Sequence, residues 1–395
     1  MELSDIFYIN IFFFARRYCT FTVLYNFKTK NTIKKMVVED FSVIDLFCGI
    51  GGLTHGFVKT GFNVVAGYDI DVSCKYAFEV NNNGSKYITK DIKEVTKQEL
   101  ECLFAEKRKI LVGCAPCQPF SLYTNKKKES KITDEEDPNG RWSLLYSFGK
   151  LIKETLPDVV SMENVPQLAK FNNGKILCDF IELLETAAYQ VTYKIIDAKD
   201  YGVPQRRKRL ILLASRLGRI DLLAPTHNKN NFITVRQAIG HLSKIEDGIS
   251  DKKDPLHAAR KLSDINKRRI QATREGGFWR EWPDELKLTC HKKEGGVSFR
   301  SVYGRMSWND VAPTMTTYCI GLGNGRFGHP EQDRAISLRE AAIFQSFPEN
   351  YDFLNPQKKT SSATIARQIG NAVPVELGVI IAKSIKKHIE QYASK

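Results

Sequence analysis

The sequence predicts an α/β fold: a parallel sheet covered by helices on both faces, with a second, smaller domain inserted before the C-terminal helices. Three observations predict it. From Phe41 to about Ala214 short β-branched runs alternate with longer amphipathic stretches, the order a parallel sheet requires. From about Arg216 to Tyr303 the alternation stops, and the chain becomes rich in Lys, Arg, His and Gly with Phe278, Trp279 and Trp282 among them. Helical periodicity then returns. The expected organisation is an N-terminal extension over 1–40, a first domain over 41–215, a second over 216–302, and a segment over 303–395 that returns to the first domain.

Val43 to Phe47, Asn63 to Tyr68, Ile110 to Gly113, Asp158 to Glu163, Val191 to Asp197 and Arg209 to Ala214 read as strands, with a weaker one ahead of Asp91. Between them, about Leu53 to Thr60, Ser73 to Asn82, Trp142 to Thr155 and Ile176 to Tyr189 hold apolar residues at three- and four-residue spacing and read as helices. Ser337 to Gln345 and Ala363 to His388 continue the helical pattern, the latter interrupted by Gly370, Asn371 and Pro374. The first 40 residues follow neither period, and Met36 stands just ahead of the first strand, so the upstream stretch reads as an extension of the reading frame.

At 395 residues and 45.0 kDa the chain exceeds one average domain. With 42% hydrophobic and 26% charged residues it can bury a large core, which excludes wholesale disorder. Fifty-nine Lys and Arg against 45 Asp and Glu leave a formal charge of +14, which points to a polyanionic partner. Nine scattered cysteines do not describe a secreted disulfide framework, so a reducing cytoplasm is expected. No apolar run in the sequence reaches the roughly 20 residues of a membrane span. Ile6 to Ala15 follows acidic Glu2 and Asp5, where a signal peptide would be basic, so neither export nor a membrane is expected.

Candidate functional residues collect at predicted strand ends. The first strand runs into Cys48, Gly49, Ile50, Gly51 and Gly52, glycines that let a ligand approach the backbone where open α/β sheets bind cofactors. A dinucleotide fingerprint fails because its third glycine would fall at Thr54; a turn that merely needs small residues remains open. Asp69 ends the second strand, placed to accept hydrogen bonds from ribose hydroxyls, and Asp91 is either a similar carboxylate or a cap. Cys117 lies on the proline-stiffened loop Pro116 to Ser121 as a candidate nucleophile, and with Cys114 it forms a C-x-x-C pair open to metal, redox or packing roles. Glu163 closes an apolar strand, where a carboxylate either binds a heteroaromatic ring nitrogen or caps the next turn. Arg207 and Arg209 share a strand face and suit a carbonyl, phosphate or carboxylate, or a solvated surface.

This ordered set resembles the cytosine-5 DNA methyltransferases of restriction-modification systems, over roughly Phe41 to Ala214 and Tyr303 to Ile381, including Gln368 to Pro374. The resemblance implies a Rossmann-like S-adenosylmethionine-dependent methyltransferase fold with a target-recognition domain over 216–302. It implies a donor pocket made by Phe47, Gly49, Gly51, Gly52, Asp69, Ile70, Asp91 and Ile92, closed by Pro116, Asn371 and Val373, and no metal. It implies attack of Cys117 on C6 of a flipped-out cytosine, methyl transfer to C5, loss of the C5 proton and release of the cysteine. Glu163 would hold the N3 and amine edge; Arg209, with Arg207 nearby, would bind O2. Lys126, Lys127 and Lys128 would close over double-stranded DNA. Arg260, Lys267, Arg268, Arg269, Arg274, Arg280, Lys292, Lys293 and Arg300 are candidate DNA contacts, and Thr314 resembles the short motif supporting the recognition domain.

Cys48 stands where many relatives carry Ala, and Lys208 replaces an acidic residue between the two arginines. A monomer is expected, with a separately encoded endonuclease as partner. An enzyme acting on structured RNA and a DNA-binding protein with a dead methyltransferase fold are the competing readings. The basic middle segment favours DNA, and the intact Cys117, Glu163 and Arg pair favour activity.

Overall fold

The computed structural model describes residues 36–116, 143–293 and 301–392. Among them seven strands form one sheet: β1 (Phe41–Leu46), β2 (Asn63–Asp69), β3 (Lys86–Thr89), β4 (Arg108–Gly113), β5 (Val159–Asn164), β6 (Gln190–Asp197) and β7 (Lys208–Ser215). Their order is β3-β2-β1-β4-β5-β7-β6. The first five pair in parallel. The expectation of a parallel sheet is corrected at one edge, where β7 runs antiparallel to β5 and β6 antiparallel to β7. The cause is connection length, because the short link from Asp197 to Lys208 cannot carry the crossover that parallel neighbours need.

All six residues of β1 are buried, since helices cover both sheet faces. On one face Ile44 and Leu46 pack with Phe104 of α3 (Lys97–Phe104), Phe148 of α4 (Ser143–Thr155) and Phe180 of α5 (Lys175–Thr186). On the other, Phe41 and Val43 pack with Phe57 of α1 (Gly52–Lys59) and Ile381 of α11 (Val375–Tyr392). α2 (Lys75–Asn81) sends Phe78 into a third cluster. That cluster unites Val235 and Ile239 of α6 (Val235–Ile239) with Trp308, with Phe344 of α9 (Leu338–Phe344) and with Ile369 of α10 (Ser362–Asn371). Sequence reasoning missed α3, although Leu100, Leu103 and Phe104 hold the three- and four-residue spacing; its Thr96 hydroxyl accepts from Glu99 N to start the helix.

Two helices touch almost backbone to backbone. A Cβ on Gly56 of α1 would lie 2.5 Å from the Gly378 carbonyl carbon of α11, so only glycine permits this approach. The contact sets residues 367–373, just ahead of α11, beside the loop after β1. The apolar stretch Ser362–Tyr392 is long enough to cross a membrane by composition alone, but most of it is buried within this fold.

Residues 264–293 carry small cores of their own. α7 (Asp264–Gln271) contributes Ile270 to a cluster with Leu322 and Ala335, and Trp279, Trp282 and Leu286 form another just ahead of α8 (Thr289–Lys292). Buried polar bonds hold this segment against residues 305–340. Arg305 donates to the carbonyls of Thr273 and Ile270, while within 305–340 itself fully buried Arg334 forks onto Glu340 at 2.8 and 2.7 Å.

Candidate active site

Leu46, Asp69, Gly113 and Asn164 end parallel strands and therefore share one sheet edge, the edge where such sheets bind ligands. Phe47 leaves β1 with φ of 64°, a left-handed conformation costly for a bulky residue, and rests edge-on against Phe148. Gly49 and Gly51 continue with φ of 51° and 85°, and Gly51 caps α1. The turn opens a cavity of about 290 Å³.

Phe47, Gly49, Asp69, Ile70, Asp91, Ile92, Pro116, Asn371 and Val373 line this cavity. Gly51 and Gly52 do not appear in its wall. A Cβ on Gly51 would meet Asn82 at 2.6 Å, and one on Gly52 would meet the Val373 carbonyl oxygen at 2.2 Å. Both glycines serve packing, and Gly52 lets the C-terminal wall come within reach. That wall is clamped by side chains. Gln345 donates to the Ile369 and Ala372 carbonyls, Arg367 pairs with Asp71 at 2.9 Å, and Gln368 donates to Ser73 at 2.8 Å.

Asp69 accepts from the backbone N–H of Gly49 and of Asp71, both at 2.9 Å, and burial raises its pKa. Asp91 accepts from Lys93 N and caps a short turn while also lining the cavity. Sequence reasoning missed Asp45, a buried carboxylate inside β1 that also lines the cavity. Thr54 donates to its Oδ2 at 2.6 Å, whereas Oδ1 has no hydrogen-bond partner among the described residues. Burial pushes its pKa up to about 7. The available signal was a lone acid within the apolar run Phe41–Leu46. Cys48 and Cys74 also line the cavity, with thiols held well above their ordinary pKa by burial.

Beside the cavity lies a second cluster. Glu163, 3% exposed, receives Arg209 Nε on Oε1 at 2.7 Å and the Cys114 thiol on Oε2 at 2.7 Å. Asn164 Nδ2 donates to the Ala115 carbonyl, fixing the start of the Pro-Cys loop against β5. The two arginines part company. Arg207 turns its guanidinium to the carbonyls of Met315, Gly370 and Ala372, away from the carboxylate that Arg209 holds. Thr314 donates to the Arg206 carbonyl at 2.5 Å, anchoring the Ala312-Pro313-Thr314 run to the same segment. Cys117, Lys126, Lys127, Lys128 and Arg300 lie outside the described residues.

Of the candidate DNA contacts, Arg260, Lys267, Arg280, Lys292 and Lys293 are exposed. Arg274 pairs with Glu281 at 2.9 Å and Arg268 reaches Glu285 at 3.9 Å. Arg269 is corrected as a DNA contact: it is buried, donates to the Leu286 carbonyl and lies over the rings of Trp282 and Tyr303. Among the described residues no group of three or more His, Cys, Asp or Glu is placed to hold a metal.

The family described as C-5 cytosine-specific DNA methylase matches residues 41–387. The chain is 53% identical over 350 residues to the type II methylase M.HgiDII of Herpetosiphon aurantiacus, covering 88% of this chain and 96% of that one. It is 31% identical to the type II methyltransferase M.PspPI of Psychrobacter sp. (strain TA137), covering 89% and 81%. In fold it is similar to a DNMT2 mutant of Spodoptera frugiperda, with a TM-score of 0.60 at 18% identity, covering 87% and 99%. It is also similar to the methyltransferase EhMeth of Entamoeba histolytica, with a TM-score of 0.58 at 16% identity, covering 88% and 98%. The fold is the Rossmann-like one of these enzymes, and the chain belongs to the C-5 cytosine-specific DNA methylases: it is a DNA (cytosine-5-)-methyltransferase.

Proposed function

We propose that this enzyme transfers a methyl group from S-adenosylmethionine to C5 of a cytosine flipped out of double-stranded DNA, as the modification partner of a separately encoded endonuclease. The type II names of its relatives support that pairing. We place it in the cytoplasm as a monomer. The observation that carries the reading is the junction of a donor-sized acidic cavity with the buried Glu163–Arg209 pair at one sheet edge.

The cavity residues fit the donor. Asp45, Asp69, Asp71 and Asp91 outnumber Lys90 and Arg367 in its wall, which suits a ligand carrying a sulfonium and an ammonium. The unpartnered Asp45 Oδ1 suits the ammonium, Asp69 the ribose hydroxyls, and Ile70, 70% exposed, supplies apolar surface for the adenine beside Ile92. When bound, the donor supplies an electrophilic methyl.

The chain's own residues do the rest. Cys117, as its thiolate, adds to C6 of the cytosine and makes C5 nucleophilic; once C5 carries the methyl and has passed its proton to a water, the thiolate leaves and the ring double bond returns. Glu163 holds the N3 and amine edge, and Arg209 both steadies Glu163 and reaches O2. Arg207 serves by position, tying the turn at 370–372 to Met315. The recognition domain reads base edges through residues of 216–302, with exposed Lys and Arg on phosphates. Incubating duplex DNA with labelled donor, then sequencing after bisulfite treatment, tests the reading: label at C5 of cytosine in one short sequence supports it, and label on RNA alone overturns it.

A further inference from the structure

We propose that Cys114 is a positioning residue for methyl transfer, its thiol fixing the orientation of Glu163 and tying that carboxylate to the wall of the donor cavity. The inference rests on the role proposed for Glu163. Among the described residues the Cys114 thiol donates to Oε2, and the Arg209 guanidinium makes an ion pair at Oε1. The terminal torsion of a Glu is otherwise broad, so a hydrogen bond at one oxygen and an ion pair at the other set the carboxylate plane. A carboxylate has about four acceptor positions, so the remainder stay available to the edge of a base.

Cys114 is also part of the cavity wall, next to Ala115 and Pro116. Its backbone N–H donates to the Leu46 carbonyl at 3.3 Å, where β1 gives way to the donor loop. The Asn164 bond to the Ala115 carbonyl joins β5 to the same stretch after β4 a second time. The thiol is therefore a direct mechanical link between the donor wall and the carboxylate that faces the base. This assigns a task to the first cysteine of the C-x-x-C pair.

The test compares wild type, Cys114→Ala and Cys114→Ser, each alone and in a Glu163→Gln background, by single-turnover methyl transfer to duplex DNA, donor KM and thermal melting. Cys114→Ala is expected to slow transfer about tenfold to a hundredfold, the scale of a small misplacement of a catalytic group, with donor KM and melting little changed. Cys114→Ser keeps a donor and is expected to restore most of the rate. In the Glu163→Gln background Cys114→Ala is expected to have no further effect. Equal rates for wild type and Cys114→Ala, a change confined to donor KM, or the same fold-loss in both backgrounds would each overturn the proposal. Wild-type protein that leaves DNA unmethylated, or Glu163→Gln that is fully active, would instead overturn the function on which it rests.

Discussion

The donor cavity and the segment 264–293 are built by opposite means. The cavity is made where strand ends from the first 120 residues meet a turn from the last 30, and its wall is fixed by glycine contacts and by side chains clamping carbonyls. The segment 264–293 has two small cores, one aliphatic and one aromatic, and its basic residues divide between solvent, acidic neighbours and burial. In the first region backbone geometry restricts which residue can stand where, so residue type reveals role. In the second, an arginine in the sequence is equally consistent with phosphate binding and with a structural bond, and only packing separates Arg269 from Lys267.

The contrast breaks most sharply at Glu163. Glu163→Gln is expected to lower kcat by about 10²- to 10⁴-fold, the usual reach of a proton-transfer group, while binding of duplex DNA in gel shift stays close to wild type. Loss of DNA binding with kcat intact would reverse the two regions' roles. Gly52→Ala comes next. Its Cβ would sit 2.2 Å from the Val373 carbonyl oxygen, so the C-terminal wall must retreat. Destabilisation of about 1–3 kcal/mol by thermal melting, with donor affinity falling as well, is the expected result.

Asp45 sharpens the cavity through pH. Its folded pKa of about 7 is raised above the ordinary carboxylate value, so the folded, donor-free protein holds a proton that the unfolded chain releases. The contribution of Asp45 to fold stability therefore declines as pH rises from about 4 to 7 and then levels, and Asp45→Asn removes that contribution. Donor binding has the opposite sign, because an ammonium favours the ionised carboxylate. Donor affinity by calorimetry should climb as pH approaches 7 and flatten above it in the wild type, and stay flat in Asp45→Asn.

Smaller effects test the second region and the mouth of the cavity. Lys267→Ala is expected to reduce the steepness of log Kd against log salt for DNA by about one ion with melting unchanged, whereas Arg269→Ala should lower melting first. Arg367→Ala breaks a half-exposed pair with Asp71, worth at most about 1 kcal/mol, or roughly fivefold in donor KM.

Much of the catalytic half was legible in the sequence. Short β-branched runs located six of the seven strands closely, and the glycine loop, Asp69 and Glu163 stood at strand ends where few other tasks call for such residues. The antiparallel edge was missed, although the short link between β6 and β7 carried the signal. Asp45 was missed because it lies inside a strand rather than at its end, among apolar neighbours that mark only the core. Arg207 and Arg209 have the same sequence signal two residues apart. Their separation depends on carbonyls supplied by Met315, Gly370 and Ala372, more than a hundred residues away. Cys114 beside Glu163 was likewise invisible, because it requires β4 and β5 to be neighbours.

We propose that chemistry at this sheet edge passes through a covalent bond between Cys117 and the base. Duplex DNA carrying 5-fluorocytosine at the target gives the direct test, since fluorine at C5 cannot leave as a proton does. Incubation with protein and donor, then denaturation and peptide mass spectrometry, is predicted to show the methylated base attached at Cys117. Ordinary DNA methylated by the same preparation, with no adduct on the fluorinated duplex, would contradict the account.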